Sequence, residues 1–147
     1  MKLLISSCLV GYNVKYDGKN NCLDQNLINQ LKQKYQLFLV CPEVDGGLPI
    51  PRTPCEIVSN NPLKVINKNG VDKTVHFTKG ANIALQTAIK NDIKLALLKS
   101  NSPSCGNQYI YDGSFESKKI KGKGVTTTLL EQFNIKVYNE KQIEELL

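Results

Sequence analysis

At 147 residues the chain has the length of one domain, spanning 1–147, and can bury a core without disulfide staples. Hydrophobic residues make up 41% and charged residues 22%, and no apolar run approaches the roughly 18 residues that a membrane span needs. The net charge of +6 comes from 18 lysines and one arginine, Arg52, scattered among 15 asparagines, which argues against a concentrated nucleic-acid stripe.

Lys2–Ser6, "KLLIS", predicts a buried strand. Leu23, Leu27, Ile28 and Leu31 then recur at helical spacing above a polar opposite face. Gln36–Val40, "QLFLV", predicts a second buried strand. The stretch Cys41–Val58 holds four prolines and Gly46-Gly47, so a long ordered loop is expected. Leu63–Asn67 predicts a short strand before an Asn69-Gly70 turn. Thr74 is the expected N-cap of a helix carrying Phe77, Ala81, Ala84, Leu85, Ala88 and Ile89. Ile93–Lys99, "IKLALLK", predicts the third buried strand, followed by a Ser/Pro/Gly loop and the turn "IYDGSF". The basic stretch Glu116–Gly124 reads as a solvated loop. Val125–Phe133 predicts a helix, Ile135–Asn139 a fourth strand, and Glu140–Leu147 a closing helix.

Strands alternating with helical patterns imply an α/β fold: a mainly parallel sheet with helices on both faces. Ligands of such sheets bind beyond the carboxyl ends of the strands, where the strand order switches. Three cysteines occupy those places. Cys8 lies two residues past the first strand, Cys41 directly past the second, and Cys105 six residues past the third. Neighbouring strands are about 4.8 Å apart, so three adjacent strand ends bring three thiols to one pocket. Cys22 and Cys55 do not share this placement.

Five cysteines are an odd number, no CxxC occurs, and nothing resembling an export-signal cleavage site follows the first apolar run. A cytoplasmic location with free thiols is therefore expected rather than a disulfide framework. His76 is the single histidine, which excludes a His-rich metal site. Separated thiolates suit either zinc, with Cys55 as a candidate fourth ligand, or an iron–sulfur cluster.

The motifs "SCLVGYNVKYDG", "CPEVDGGLPIPR", "FTKGA", "LKSNSPSCG", "IYDGSF" and "GKGVTT" follow one another over nearly the whole chain. Together they closely resemble a bacterial family whose characterised members are thiouracil desulfurases. The resemblance implies a Rossmann-like three-layer domain carrying a [4Fe-4S] cluster on Cys8, Cys41 and Cys105. One iron is left without a protein ligand, so aerobic preparation is expected to strip the cluster. The substrate implied is a small thiolated nucleobase, whose thione sulfur binds the open iron. Water replaces that sulfur, giving the oxo base and sulfide without net electron transfer.

Glu43, two residues after Cys41, is the candidate acid/base. Ser102 is the candidate for proton transfer, and Ser100 and Ser104 are candidates for holding substrate. Asp17 and Asp112 each precede a glycine and are expected to serve turns. Arg52 is expected to anchor the proline-rich loop to a carboxylate. Two rival readings are a non-catalytic zinc- or cluster-binding sensor and an enzyme acting on thiolated tRNA bases. The absence of an aromatic-basic stripe disfavours the second.

Overall fold

The computed structural model describes all 147 residues. The chain begins with β1 (Lys2–Ser6), a 3₁₀ turn over Ser7–Val10, α1 (Gln25–Lys34) and β2 (Gln36–Val40). Next come α2 (Pro42–Asp45), the hairpin β3 (Cys55–Asn60) and β4 (Leu63–Asn67), and α3 (Thr74–Lys90). β5 (Leu95–Leu97) leads to a second hairpin, β6 (Tyr109–Tyr111) and β7 (Lys119–Lys121). The chain closes with α4 (Val125–Gln132), β8 (Lys136–Tyr138) and a 3₁₀ segment over Glu140–Glu145.

The central sheet has the order β2-β1-β5-β8, and all its pairings are parallel. Side chains of a strand alternate between faces, and both faces of this sheet are covered. Leu3 and Ile5 of β1 enter a cluster with Leu31 and Tyr35 near α1, and with Ile143 and Leu146 of the closing segment. Leu4, between them, enters another with Ala84, Leu85 and Ala88 of α3 and Leu130 of α4. The expected Rossmann-like three-layer α/β architecture is therefore present.

From β1 the chain moves outward to β2, then returns past β1 to β5 and β8. The order thus reverses between β1 and β5, and a crevice opens beyond their carboxyl ends.

Several local expectations change. Cys41–Val58 is not one loop, because it starts with the helical turn α2 and ends in β3. Pro42 sits at the first helical position, where a missing N–H is no loss. Pro49, Pro51 and Pro54 occupy the irregular middle. Thr74 begins α3 but does not cap it. Its hydroxyl accepts the Val65 N–H at 2.9 Å, and Asp72 accepts the Thr74 N–H at 2.8 Å. Part of the basic loop is a strand: β7 pairs antiparallel with β6, setting Lys119 opposite Tyr111. The closing helix is 3₁₀, capped by Asn139 with Gln142 completing a capping box. The third strand ends at Leu97, so Cys105 lies eight residues beyond it, not six.

Two glycines bring helices against the cysteine-bearing loops. A Cβ at Gly80 of α3 would overlap the Pro42 carbonyl, next to Cys41. A Cβ at Gly124, at the start of α4, would lie 2.5 Å from the Ser104 oxygen and 2.6 Å from the Cys105 nitrogen. In return α4 holds that loop: the N–H groups of Thr126 and Thr127 donate to Ser104 O at 2.8 and 3.2 Å. The Thr127 hydroxyl donates to Cys105 O at 2.7 Å. Gly124→Ala is expected to push the Cys105 loop aside, costing about 1–3 kcal/mol. Thermal unfolding checks this as a Tm lower by roughly 2–12 °C.

Candidate active site

Each of the three strand ends delivers a thiol by a different local device. After β1 the chain tightens into the Ser7–Val10 turn, which carries Cys8. Cys41 follows β2 directly and occupies the N-cap position of α2. Beyond β5 a turn closed by Gly106 N–H to Ser102 O, at 2.9 Å, carries Cys105. The Ser102 hydroxyl accepts the N–H groups of Ser104 and Cys105, both at 3.1 Å, so this serine shapes the loop. All three cysteines line one cavity of about 540 Å³.

Burial raises all three thiols. It pushes Cys105 up to about 12, with the charges of Glu43, Cys41 and Cys8 adding to the effect. Cys41 rises to about 11 through burial. Burial also raises Cys8, opposed by a hydrogen bond from Asn21 and the charge of Lys99. No three His, Cys, Asp or Glu side chains converge tightly enough to clasp one metal ion. Thiolates sharing a single zinc would sit about 4 Å apart, given a Zn–S bond of about 2.3 Å.

Cys22 is exposed and away from the cavity, whereas Cys55 lines it. Its position after the proline-rich stretch and the family resemblance set Cys55 apart as structural, with a fourth zinc ligand as the alternative. Burial lifts its thiol to about 11, Glu43 adds to the rise, and Arg52 opposes it.

Glu43 joins the walls of the cavity. Its Oε1 accepts Arg52 Nε at 3.1 Å, and its Oε2 accepts the Ser104 hydroxyl at 3.0 Å. Ser102 Oγ lies 3.5 Å from the same oxygen and 3.0 Å from Ser104 Oγ. The Cys105 thiol reaches Ser104 Oγ at 3.6 Å. One network therefore runs from Arg52 through Glu43 and Ser104 to Cys105.

Arg52 anchors the proline-rich loop as expected, although its fork is shared out rather than doubled on one carboxylate. Besides Glu43, it donates to Pro49 O at 3.2 Å and Val14 O at 3.0 Å. The Arg52 and Glu43 side chains are only 6% and 16% exposed, so the pair is mostly shielded from water. A lysine would reach one of these three acceptors. Arg52→Lys is expected to destabilise the fold by about 2–3 kcal/mol, read as a Tm fall of roughly 5–10 °C.

Ser100 is held differently from Ser102 and Ser104. Its N–H and hydroxyl donate to the two oxygens of Glu140, each at 2.8 Å. Lys99 Nζ pairs with Glu140 Oε2 at 2.8 Å and donates to Ser100 Oγ at 3.0 Å. Burial opposes ionisation of Glu140, but the hydrogen bonds from Lys99 and Ser100 hold its carboxyl below the usual range. Lys99 and Asn21, both lining the cavity, were not singled out from the sequence, and neither was Glu140. Lys99 carried a readable signal, a charge at the end of the third apolar run and two residues past β5, at the switch point. Asp17 and Asp112 serve turns, accepting the N–H groups of Lys19 at 3.0 Å and Ser114 at 2.9 Å.

A parallel α/β sheet whose switch-point crevice gathers four thiols, three of them beyond strand ends, with two glutamates and a row of serines suits soft metal chemistry rather than phosphate binding. The chain belongs to the 2-thiouracil desulfurase family, whose model matches residues 3–142. This is a family of enzymes that cleave C–S bonds. The chain is 36% identical over 152 residues to the uncharacterized protein YbbK of Bacillus subtilis (strain 168), covering 99% of each. Among solved structures it is similar to the [4Fe-4S]-dependent thiouracil desulfidase TudS, with a TM-score of 0.93 and 41% identity. That likeness covers 99% of this chain and 94% of the other. The family and fold expected from the sequence motifs are both borne out.

Proposed function

We propose that this single domain, spanning 1–147, is a cytoplasmic enzyme that hydrolyses the C=S bond of a small thiolated pyrimidine of the 2-thiouracil type. Thione plus water gives the oxo base plus hydrogen sulfide, so the reaction balances without an electron donor or acceptor. The observation that carries this reading is the meeting, in one cavity, of the Cys8, Cys41 and Cys105 thiols with the Glu43–Ser104 network.

Cys8, Cys41 and Cys105 are the residues that would hold a [4Fe-4S] cluster. The donor set fits: thiolates without histidine suit iron–sulfur centres. Cys8, Cys41 and Cys105 share one cavity without forming a group tight enough to clasp one ion, which favours an extended centre over a lone zinc. When bound, the cluster would supply an iron without a protein ligand, a Lewis acid suited to a soft atom such as a thione sulfur.

The rest falls to the chain's own groups. Arg52 fixes Glu43 Oε1, leaving Oε2 directed at the serines. Glu43 takes a proton from the attacking water and returns one to the departing sulfur. Ser102, beside both Glu43 and Ser104, passes protons within this row, and Ser104 holds the substrate's polar edge. Ser100 contributes by fixing the wall that carries Lys99, since Glu140 already takes its hydroxyl.

The test is anaerobic reconstitution, analysis of iron, sulfide and zinc, and an assay of 2-thiouracil turnover by uracil and sulfide release. Stoichiometric uracil and sulfide are expected. A single equivalent of zinc without turnover would point instead to a sensing module.

A further inference from the structure

We infer that Phe115 is the stacking platform for the substrate ring, and that it selects planar heterocyclic thiones; this rests on the thiobase reading above. Phe115 lies in the connection between β6 and β7 and lines the thiol cavity. It belongs to none of the three core clusters, so its ring is not filling the protein interior.

Its backbone is strained. Phe115 has φ of +60°, as does Ser117, in a region that bulky residues seldom adopt. Glycine would sit there freely, yet the fold holds a phenylalanine. The surroundings enforce this conformation. Glu56 Oε1 accepts the Gly113 N–H at 2.9 Å and the Phe115 N–H at 3.2 Å, tying the connection to β3. Asp112 accepts both the N–H and the hydroxyl of Ser114, at 2.9 and 2.6 Å. A bridge between Asn101 and Ile110 docks the same hairpin on the loop that bears Cys105. The backbone that carries the ring is therefore tied to β3 and to the loop that bears Cys105.

Three aromatic residues line the cavity, and two already have a cation over a face. Lys15 Nζ lies 5.9 Å from the centre of the Tyr16 ring, and Lys119 Nζ lies 5.8 Å from that of Tyr111. No lysine lies over the Phe115 ring, which makes it the cavity aromatic we assign to the ligand. A thiolated pyrimidine offers a flat π-surface. Base–aromatic stacking of this kind is lost as a roughly 5- to 150-fold weakening on truncation.

The test uses the reconstituted holoenzyme with Phe115→Ala, Phe115→Leu and Phe115→Trp. Calorimetry measures binding of uracil, the oxo product, which needs no turnover. Alanine and leucine should each raise the Kd for uracil and the KM for 2-thiouracil roughly 10- to 100-fold while kcat holds, and tryptophan should restore both. Leucine keeps apolar bulk but has no π-face, so wild-type uracil binding in Phe115→Leu would overturn the inference. Thiourea has the C=S group without the ring. It should inhibit wild type and Phe115→Leu equally, or neither, and a loss confined to the variant would also count against the platform. Absence of sulfide release from wild type would defeat the thiobase reaction, whereas the uracil comparison would still judge Phe115. Absence of uracil binding by wild type would sink the platform itself.

Discussion

Serine at Cys8, Cys41 or Cys105 is expected to yield a folded protein that cannot assemble the cluster. Anaerobic reconstitution should bring about four irons to the parent and to Cys22→Ser, and close to none to these three variants. A serine hydroxyl is a hard ligand that stays protonated, and two thiolates do not anchor a four-iron centre. The apo proteins separate this role from a purely structural one. Burial raises the three thiols, and Cys41 and Cys105 reach about 11 and 12, so without metal these are neutral S–H groups. Exchanging S–H for O–H should therefore move the apo Tm by only a few degrees, roughly 1 kcal/mol. Loss of visible iron–sulfur absorption without loss of the fold is the signature of a ligand. Cys55→Ser decides the size of the ligand set. Cys55 lines the same cavity, but it starts β3 of the hairpin and does not follow a strand of the central sheet. It should keep the cluster. If it lost iron as completely as Cys105→Ser, a four-thiolate site would replace the three-thiolate one.

What could be read from the sequence follows the range of the interactions involved. β1 was legible because both faces of a parallel strand are apolar, and Leu3, Leu4 and Ile5 are fully buried. The thiols at the strand ends were legible because parallel order fixes where the chain emerges. The grip of Glu140 on Ser100 was not, since 40 residues separate them and only the pairing of β8 with β5 brings them together. β7 was missed for another reason. Its three residues are all exposed, so no hydrophobic period marks it, and backbone pairing with β6 alone makes the strand. Cys55 lines the cavity because β3 starts at its wall, a placement set by tertiary packing and not by spacing in the chain. Gly80 and Gly124 stood inside recognisable motifs, but their reason, helix backbone laid against the Cys41 and Cys105 loops, belongs to the fold.

Glu43→Gln is expected to separate holding the cluster from using it. Glutamine has the shape of glutamate, and its amide oxygen can still accept Arg52 Nε while its NH₂ group faces the Ser104 hydroxyl. The loop after Cys41 therefore keeps its course, and iron content and visible absorption should match the parent. The charge is lost, however, and Arg52 is only 6% exposed, so some stability goes with it. A fall of about 1–3 kcal/mol is expected, small enough for assays well below the Tm. Turnover of 2-thiouracil should drop by roughly 10²–10⁴-fold, the usual effect of losing a general acid or base. Ser102→Ala, which removes one hydroxyl from the row and leaves the carboxylate, should cost less, about tenfold. Binding of the thione needs no proton acceptor. 2-Thiouracil should thus still perturb the absorption of the Glu43→Gln holoenzyme, with an affinity near that of the parent. Near-parental turnover in that variant would remove Glu43 from the proton path and shift the role to the Ser102–Ser104 pair. Loss of iron from it would make the carboxylate a scaffold for the Cys41 loop rather than a participant in the chemistry.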